Sequence, residues 1–125
     1  MSHGLWKYGE GTGRYSNTYK EISESAIVKK FIALFKKQYP SNEAFITKIH
    51  GGAYRRSGLP DIYILVDGTT IWVEFKRPSS DTTKLQKQTL EILASAGAYC
   101  GVATSPEEGL KIVEDALKLA KKDVC

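Results

Sequence analysis

A two-residue turn, Asp67-Gly68, separates two strongly apolar segments and constrains the fold more than any other feature of this sequence. Asp-Gly between alternating apolar residues is the strongest short signal for a β-hairpin with a two-residue loop. Such a loop fixes the register of the two strands, and this register predicts that Asp61 faces Glu74. The predicted strands cover about Asp61–Val66 and Thr69–Lys76.

The facing carboxylates need a partner, because like charges directly opposed on a sheet are destabilising when their side chains lie roughly 5 Å apart. Lys76, two residues after Glu74, points to the same face and can supply positive charge. The other face of the hairpin is apolar and predicts a core: Ile62, Ile64, Ile71, Val73 and Phe75. Two carboxylates and an amine at one end of a buried sheet indicate a metal-dependent phosphodiester site.

Composition sets broad limits on the class of protein. A chain of 125 residues with 42% hydrophobic and 26% charged residues is typical of one globular domain. The apolar runs are too short for a membrane span, and the first residues lack the apolar stretch of a signal peptide. Cys100 and Cys125 form neither a disulfide framework nor a zinc pattern, so we expect an intracellular, cytoplasmic and reduced protein. The net charge of +4 is compatible with nucleic acid without requiring it.

The rest of the chain divides into an aromatic and Gly-rich N-terminal arm, residues 1–20, and one domain, residues 21–125. Apolar periodicity and turn signals give the remaining elements of that domain. They are a helix over about 22–38, a strand over 45–50, a helix over 84–96, a strand over 99–104 and a helix over 106–121. The order αβββαβα predicts an α/β fold with a mixed central sheet and helices packed on it.

Three motifs in these elements carry a family resemblance. Gly58-Leu59-Pro60-Asp61 opens the second strand, Val73-Glu74-Phe75-Lys76 ends the third, and Gln86 begins the next helix. In the order αβββαβ, this pattern resembles the PD-(D/E)xK nuclease superfamily, and within it the small stand-alone phage or viral type of the virus-type replication-repair nuclease (VRR-NUC) domain. The likeness covers about Glu24–Val113, and it implies a restriction-endonuclease-like fold and a phage, viral or bacterial setting.

The resemblance implies a role for each residue of these motifs. Asp61 and Glu74 would coordinate Mg²⁺ or Mn²⁺ together with the backbone carbonyl of Phe75. Lys76 would lie near the attacking water and the phosphate, where it would offset developing negative charge. Gln86 would contact the lysine or the phosphate; the alternative is a glutamine at the rim of the helix start.

A further carboxylate is expected from the first helix. Glu24 falls on the core-facing stripe of Ile27, Val28 and Phe31, where a glutamate is costly without a partner. The resemblance implies a glutamate there that reaches the metal, directly or through water. Glu21, one turn earlier, is the rival, and for either residue a first-turn glutamate favoured by the helix dipole is the alternative.

Basic residues on and around the hairpin are expected to meet the phosphate backbone of DNA as a group. They are Lys48, Arg55, Arg56, Arg77, Lys84 and Lys87. His50, at the end of a strand, is a weak candidate for any role.

The resemblance therefore implies a metal-dependent, structure-specific endodeoxyribonuclease. Small members of this branch resemble resolvases of four-way (Holliday) junctions, and a two-fold homodimer suits a junction with two symmetric strands to cut. Cleavage of flaps or other branched DNA is the nearest alternative. A non-cleaving nucleic-acid-binding protein of the same fold is the second, and the presence of every acidic and lysine position favours the enzyme.

Overall fold

A computed structural model describes residues 5–7, 22–40, 42–50 and 58–123. Its elements are β1 (Leu5–Lys7), α1 (Glu24–Gln38), β2 (Ala44–Lys48), β3 (Ile62–Val66), β4 (Thr69–Phe75), α2 (Lys84–Ser95), β5 (Tyr99–Ala103) and α3 (Pro106–Asp123). The strands form one sheet in the order β1-β5-β4-β3-β2. Strands β2, β3 and β4 are antiparallel, while β5 lies parallel to β4 and β1 parallel to β5. The mixed sheet with flanking helices is the predicted architecture.

Strand β1 is the one described element that the sequence did not predict. Leu5, Trp6 and Lys7 extend the sheet beyond β5, pairing with Tyr99, Cys100 and Gly101. Three residues are too few to show the alternation by which a strand is recognised. The rest of the predicted N-terminal arm lies outside the described residues.

The hairpin has the predicted turn and register. Asp67 and Gly68 both have positive φ, 49° and 78°, as a two-residue hairpin loop of type I′ requires. Five of the six predicted strand pairs form, from Val66–Thr69 at the turn to Ile62–Val73 at the other end, and the sixth, Asp61–Glu74, lies one position beyond the ladder. This register sends alternate residues to opposite faces, so one face can be apolar while the other carries the polar residues.

The face of Ile62, Ile64, Ile71 and Val73 is covered by α1 and α3 and forms the main core. The Phe31 ring of α1 lies 5.0 Å from that of Phe75 at the end of β4, measured between centroids. The other face is covered over β4 and β5 by α2, in a smaller cluster of Leu90, Ala94, Ala98, Cys100 and Val102. Every residue of β5 is buried, as its apolar sequence predicts.

The start of α3 forms only part of the capping box that Ser105, followed three residues later by Glu108, predicts. The Ser105 hydroxyl accepts the Glu108 N–H, as expected. The Glu108 carboxylate, however, accepts from the N–H and the hydroxyl of Thr104, one residue before the expected backbone partner. Within the described ranges, none of the three helices is long and apolar enough to cross a membrane.

The loop that leads into β3 packs closely on α2 through Gly58. This residue has φ +86°, and a Cβ built on it would lie 2.8 Å from the Thr89 hydroxyl oxygen and 3.2 Å from the Leu85 carbonyl oxygen. Only glycine combines this backbone conformation with this approach. The start of β3 is therefore positioned by contact with α2 as well as by its strand neighbours.

We expect Gly58→Ala to destabilise the protein by about 2–4 kcal/mol, because left-handed backbone strain and a steric clash add. The matched control is Gly68→Ala, since Gly68 also has positive φ but no atom lies within 4 Å of a Cβ built there. That control should lose only the strain, about 1–2 kcal/mol. Urea unfolding of both variants measures the difference, and equal losses would show that the approach to α2 is unimportant.

Candidate active site

Asp61 and Glu74 lie side by side where the β3–β4 ladder stops, one position beyond the Ile62–Val73 pair. The Asp61 N–H donates to Oε1 of Glu74 at 3.1 Å, and the Phe75 N–H donates to Oδ2 of Asp61 at 2.9 Å. Each carboxylate thus accepts a backbone hydrogen bond from the segment that carries the other. These two bonds continue the strand pairing with side chains and hold two like charges close together.

Glu74 is the most unusual side chain of the site, because it is a carboxylate with only 2% of its surface exposed. Besides the Asp61 N–H, its partners are the Gln86 amide and the Lys76 ammonium, both at Oε2. Burial raises the pKa of Glu74 to about 7, the negative charge of Asp61 adds to the rise, and Lys76 opposes it. The available positive charge therefore does not fully offset the cost of burying this carboxylate.

Lys76 supplies the positive charge that the facing carboxylates were expected to need. Its Nζ lies 3.3 Å from Oε2 of Glu74, and its side chain is only 13% exposed. Its backbone N–H donates to the Ala103 carbonyl at 2.9 Å, which ties this end of the hairpin to the end of β5. The ammonium is therefore held next to the carboxylate pair.

Gln86 reaches the site from the first turn of α2, and its amide makes two directed bonds. Nε2 donates to Oε2 of Glu74 at 2.9 Å, while Oε1 accepts the Thr83 N–H at 2.9 Å. The Thr83 hydroxyl in turn accepts the Gln86 N–H at 3.1 Å, which completes a capping box. The glutamine thus contacts a carboxylate, where a lysine or phosphate partner had been predicted. Thr83 was missed, although Thr-x-x-Gln before an apolar stripe is the sequence signal for this cap.

Glu24 is the first residue of α1 and is partly exposed. The Phe31–Phe75 contact places the N-terminal half of α1 toward the same end of the sheet as the site. Among the described residues, however, no three acidic, histidine or cysteine side chains gather into a group that could hold a metal ion. Glu24 is thus not brought into a cluster with Asp61 and Glu74, and its role stays a prediction. Its rival Glu21 lies outside the described residues.

The predicted basic residues that the structure describes flank the same end of the sheet. Lys48 is the last residue of β2 and pairs with Ile62, which places it at the site end of the sheet but on the face opposite Asp61 and Glu74. Arg77 follows Lys76 directly. The others, Lys84 and Lys87, lie in the first turn of α2, the turn that carries Gln86. Arg55 and Arg56 lie outside the described residues, and His50 is exposed after β2.

The donor set suits a hard divalent cation. Mg²⁺ is usually held by one or two carboxylates with water completing its octahedron, so a cluster of three acidic side chains is not required. Asp61 and Glu74 supply two carboxylates at one point, and the undercompensated charge of Glu74 favours a cation there. The residues present therefore fit such an ion.

Comparison with known proteins gives one structural likeness. A solved structure titled "VRR_NUC domain" matches with a TM-score of 0.56 and 23% sequence identity. The alignment covers 74% of this chain and 97% of that one. No protein-family model matches the sequence, and the search of curated proteins found no match. This chain therefore has the VRR-NUC fold, as the motifs around Asp61, Glu74 and Gln86 predicted.

We expect the raised pKa of Glu74 to make stability fall as the pH rises. The folded protein holds this proton up to about pH 7, whereas an ordinary glutamate, with a pKa of 4.5, releases it earlier. Unfolding free energy should therefore decrease between about pH 4.5 and 7, by about 3 kcal/mol in total, and level off above. Urea unfolding in EDTA from pH 5.5 to 8 measures this slope. Glu74→Gln should remove it, and Glu107→Gln, at an exposed glutamate of α3, should keep it.

We expect Gln86→Leu to destabilise the protein by about 1–3 kcal/mol, because the Thr83 N–H and a buried Glu74 oxygen each lose a partner. Gln88→Leu is the matched control, since Gln88 is an exposed glutamine of the same helix. It should change stability by less than about 0.5 kcal/mol. Equal effects in urea unfolding would show that the Gln86 contacts contribute nothing specific.

Proposed function

We propose that this protein is a metal-dependent, structure-specific endodeoxyribonuclease that hydrolyses phosphodiester bonds of DNA. One observation carries the proposal: a buried Glu74, ion-paired with Lys76 at 3.3 Å, lies against Asp61 at the end of the sheet. Carboxylates that can hold a cation beside a lysine that can meet a phosphate are the groups this reaction needs. The VRR-NUC fold supports the proposal.

In this proposal Asp61, Glu74 and the backbone carbonyl of Phe75 hold Mg²⁺ or Mn²⁺. When bound, such an ion polarises the phosphate and lowers the pKa of a bound water toward neutrality. Asp61 is positioned for this by the Phe75 N–H, and Glu74 by the Asp61 N–H and the Gln86 amide. The protein's contribution is to hold the two carboxylates in place before any ligand arrives.

Lys76 acts on the phosphate. Its ammonium is little exposed and held beside the carboxylates, so it can donate to a phosphate oxygen and stabilise charge that develops during hydrolysis. Gln86 acts through Glu74, whose carboxylate it orients. Lys48, Arg77, Lys84 and Lys87 flank this end of the sheet and would contact neighbouring phosphates.

The preferred substrate in this proposal is a four-way DNA junction, cut by a homodimer with one site in each subunit. A two-fold dimer matches the two-fold arrangement of the strands to be cut. Cleavage of flaps or other branched DNA is the alternative within the same chemistry.

The test is cleavage of a labelled four-way junction, with linear duplex, flap and single-stranded controls, in Mg²⁺, Mn²⁺ or EDTA. We expect paired symmetric nicks that require the metal. Asp61→Asn and Lys76→Met should each reduce the rate at least about a hundredfold, because each removes a group that meets the ion or the phosphate.

Two matched variants control for charge and stability. Asp67→Asn alters an aspartate at the opposite end of the hairpin, and Lys118→Met alters an exposed lysine of α3. Both should cut at the wild-type rate. Cutting of flaps alone would keep the chemistry and reject the resolvase, whereas binding without cutting in either metal would reject the enzyme.

A further inference from the structure

The sheet face that carries the two carboxylates continues into a row of aromatic rings. Alternate residues of a strand share a face, so Tyr63 follows Asp61 and Trp72 precedes Glu74 on that face. Tyr63 and Trp72 are directly paired, with ring centroids 5.0 Å apart. Phe45 of β2 extends the row, its centroid 6.2 Å from that of Tyr63. We call Phe45, Tyr63 and Trp72 the aromatic row.

One end of this row is partly buried and the other is open to solvent. Trp72 packs against the cluster beneath α2. Phe45 is 54% exposed, and Leu65, its direct strand partner on the same face, is 36% exposed. Both lie toward the hairpin turn, with Leu65 four residues and roughly 13 Å along β3 from Asp61. Grouped apolar side chains that remain exposed on the face of a candidate site mark a binding surface more often than scattered ones do.

The charge distribution favours a nucleobase over a phosphate on this surface. From the hairpin turn to the carboxylates, the residues of β2, β3 and β4 on this face are Phe45, Thr47, Tyr63, Leu65, Thr70 and Trp72, and all six are uncharged. The basic residues lie instead at the site end, at Lys76 and the positions that flank it. Two residues of a strand span about 7 Å, so the row begins within one nucleotide's reach of the carboxylates.

We propose that the aromatic row stacks a nucleobase that has an uncovered face, in the DNA strand whose phosphate lies at Asp61 and Glu74. The substrate class is then DNA whose stack is interrupted beside the cut, as at a flap or a branch point, because a base inside a duplex has both faces covered. Aromatic stacking tolerates any sequence, since every base has a π-face. This inference rests on the proposed function for the identity of its ligand.

A second copy of this chain is the other candidate occupant. The row lies on the same face as the carboxylates and one side-chain step from them, so a protein partner seated there would crowd the approach of a phosphodiester. The continuity of the row with the site therefore favours the substrate itself.

The first test is binding, measured by fluorescence anisotropy in EDTA so that no cleavage occurs. The probes are a labelled duplex and the same duplex with a single-stranded flap. Phe45→Ala should weaken flap binding about tenfold and duplex binding less than about twofold. Phe45→Trp should restore flap binding, because it keeps a stacking ring. Leu119→Ala is the control, since Leu119 is a 37% exposed leucine on α3, and should bind both probes as wild type does.

A second measurement reports stacking directly. 2-Aminopurine in the first unpaired position of the flap should lose fluorescence on binding wild type and Phe45→Trp, and should keep it with Phe45→Ala. Equal losses of affinity for both probes, or no loss for either, would overturn the inference. Light scattering that shows Phe45→Ala converting a dimer to a monomer would identify the row as a subunit interface and would also overturn it.

Failure of the inference can be told apart from failure of the proposed function. Flap-dependent stacking by a protein that cuts nothing in Mg²⁺ or Mn²⁺ would keep the stacking surface and reject the nuclease. Metal-dependent cutting with Phe45→Ala indistinguishable from wild type on both probes would keep the nuclease and reject the stacking surface.

Discussion

The burial of the Glu74 carboxylate is the constraint on which the arrangement of the site depends. A carboxylate removed from water is costly unless hydrogen bonds and opposite charge offset the loss of hydration. Glu74 obtains its partners from three parts of the chain: the Asp61 backbone before β3, Lys76 after β4, and Gln86 in α2. A shift of any one of these segments would leave a buried charge with fewer partners. The same contacts that make the carboxylate tolerable therefore also fix the geometry around it.

The directions of the helices add to this electrostatic balance. The first turn of α2 lies at the site, where it supplies Gln86. Helix α3 begins at Pro106, shortly after β5 ends at Ala103, whose carbonyl accepts the Lys76 N–H. Helix α1 also starts toward this end of the sheet, because its C-terminal residues Phe35 and Tyr39 line a cavity with the start of β2 at the opposite end. The N-terminus of a helix carries partial positive charge. The fold thus directs three such termini toward the end of the sheet where the acidic groups lie.

The contacts within the hairpin could be predicted from the sequence, and the contacts that depend on how the helices pack on the sheet could not. A two-residue turn and a period of two are enough to place Asp61 opposite Glu74 with Lys76 beside them. The actual partner of Gln86 depends on how α2 packs on the sheet, which periodicity does not determine. Periodicity also does not determine whether Glu24 faces a metal ion or solvent, because a glutamate in the first turn of a helix gives the same sequence pattern in both cases.

The hairpin that carries the carboxylates also limits how this chain can change. Asp61 and Glu74 are thirteen positions apart, and their contact depends on the turn at Asp67 and Gly68, at the far end of both strands. Adding one residue to either strand would exchange the two faces of that strand, directing one carboxylate into the apolar layer and an isoleucine or valine into its place. The residues between Asp61 and Glu74 can change in identity as long as apolar and polar positions alternate, but the number of these residues cannot change. Among descendants of this sequence, the length of the hairpin should therefore be inherited more strictly than its composition.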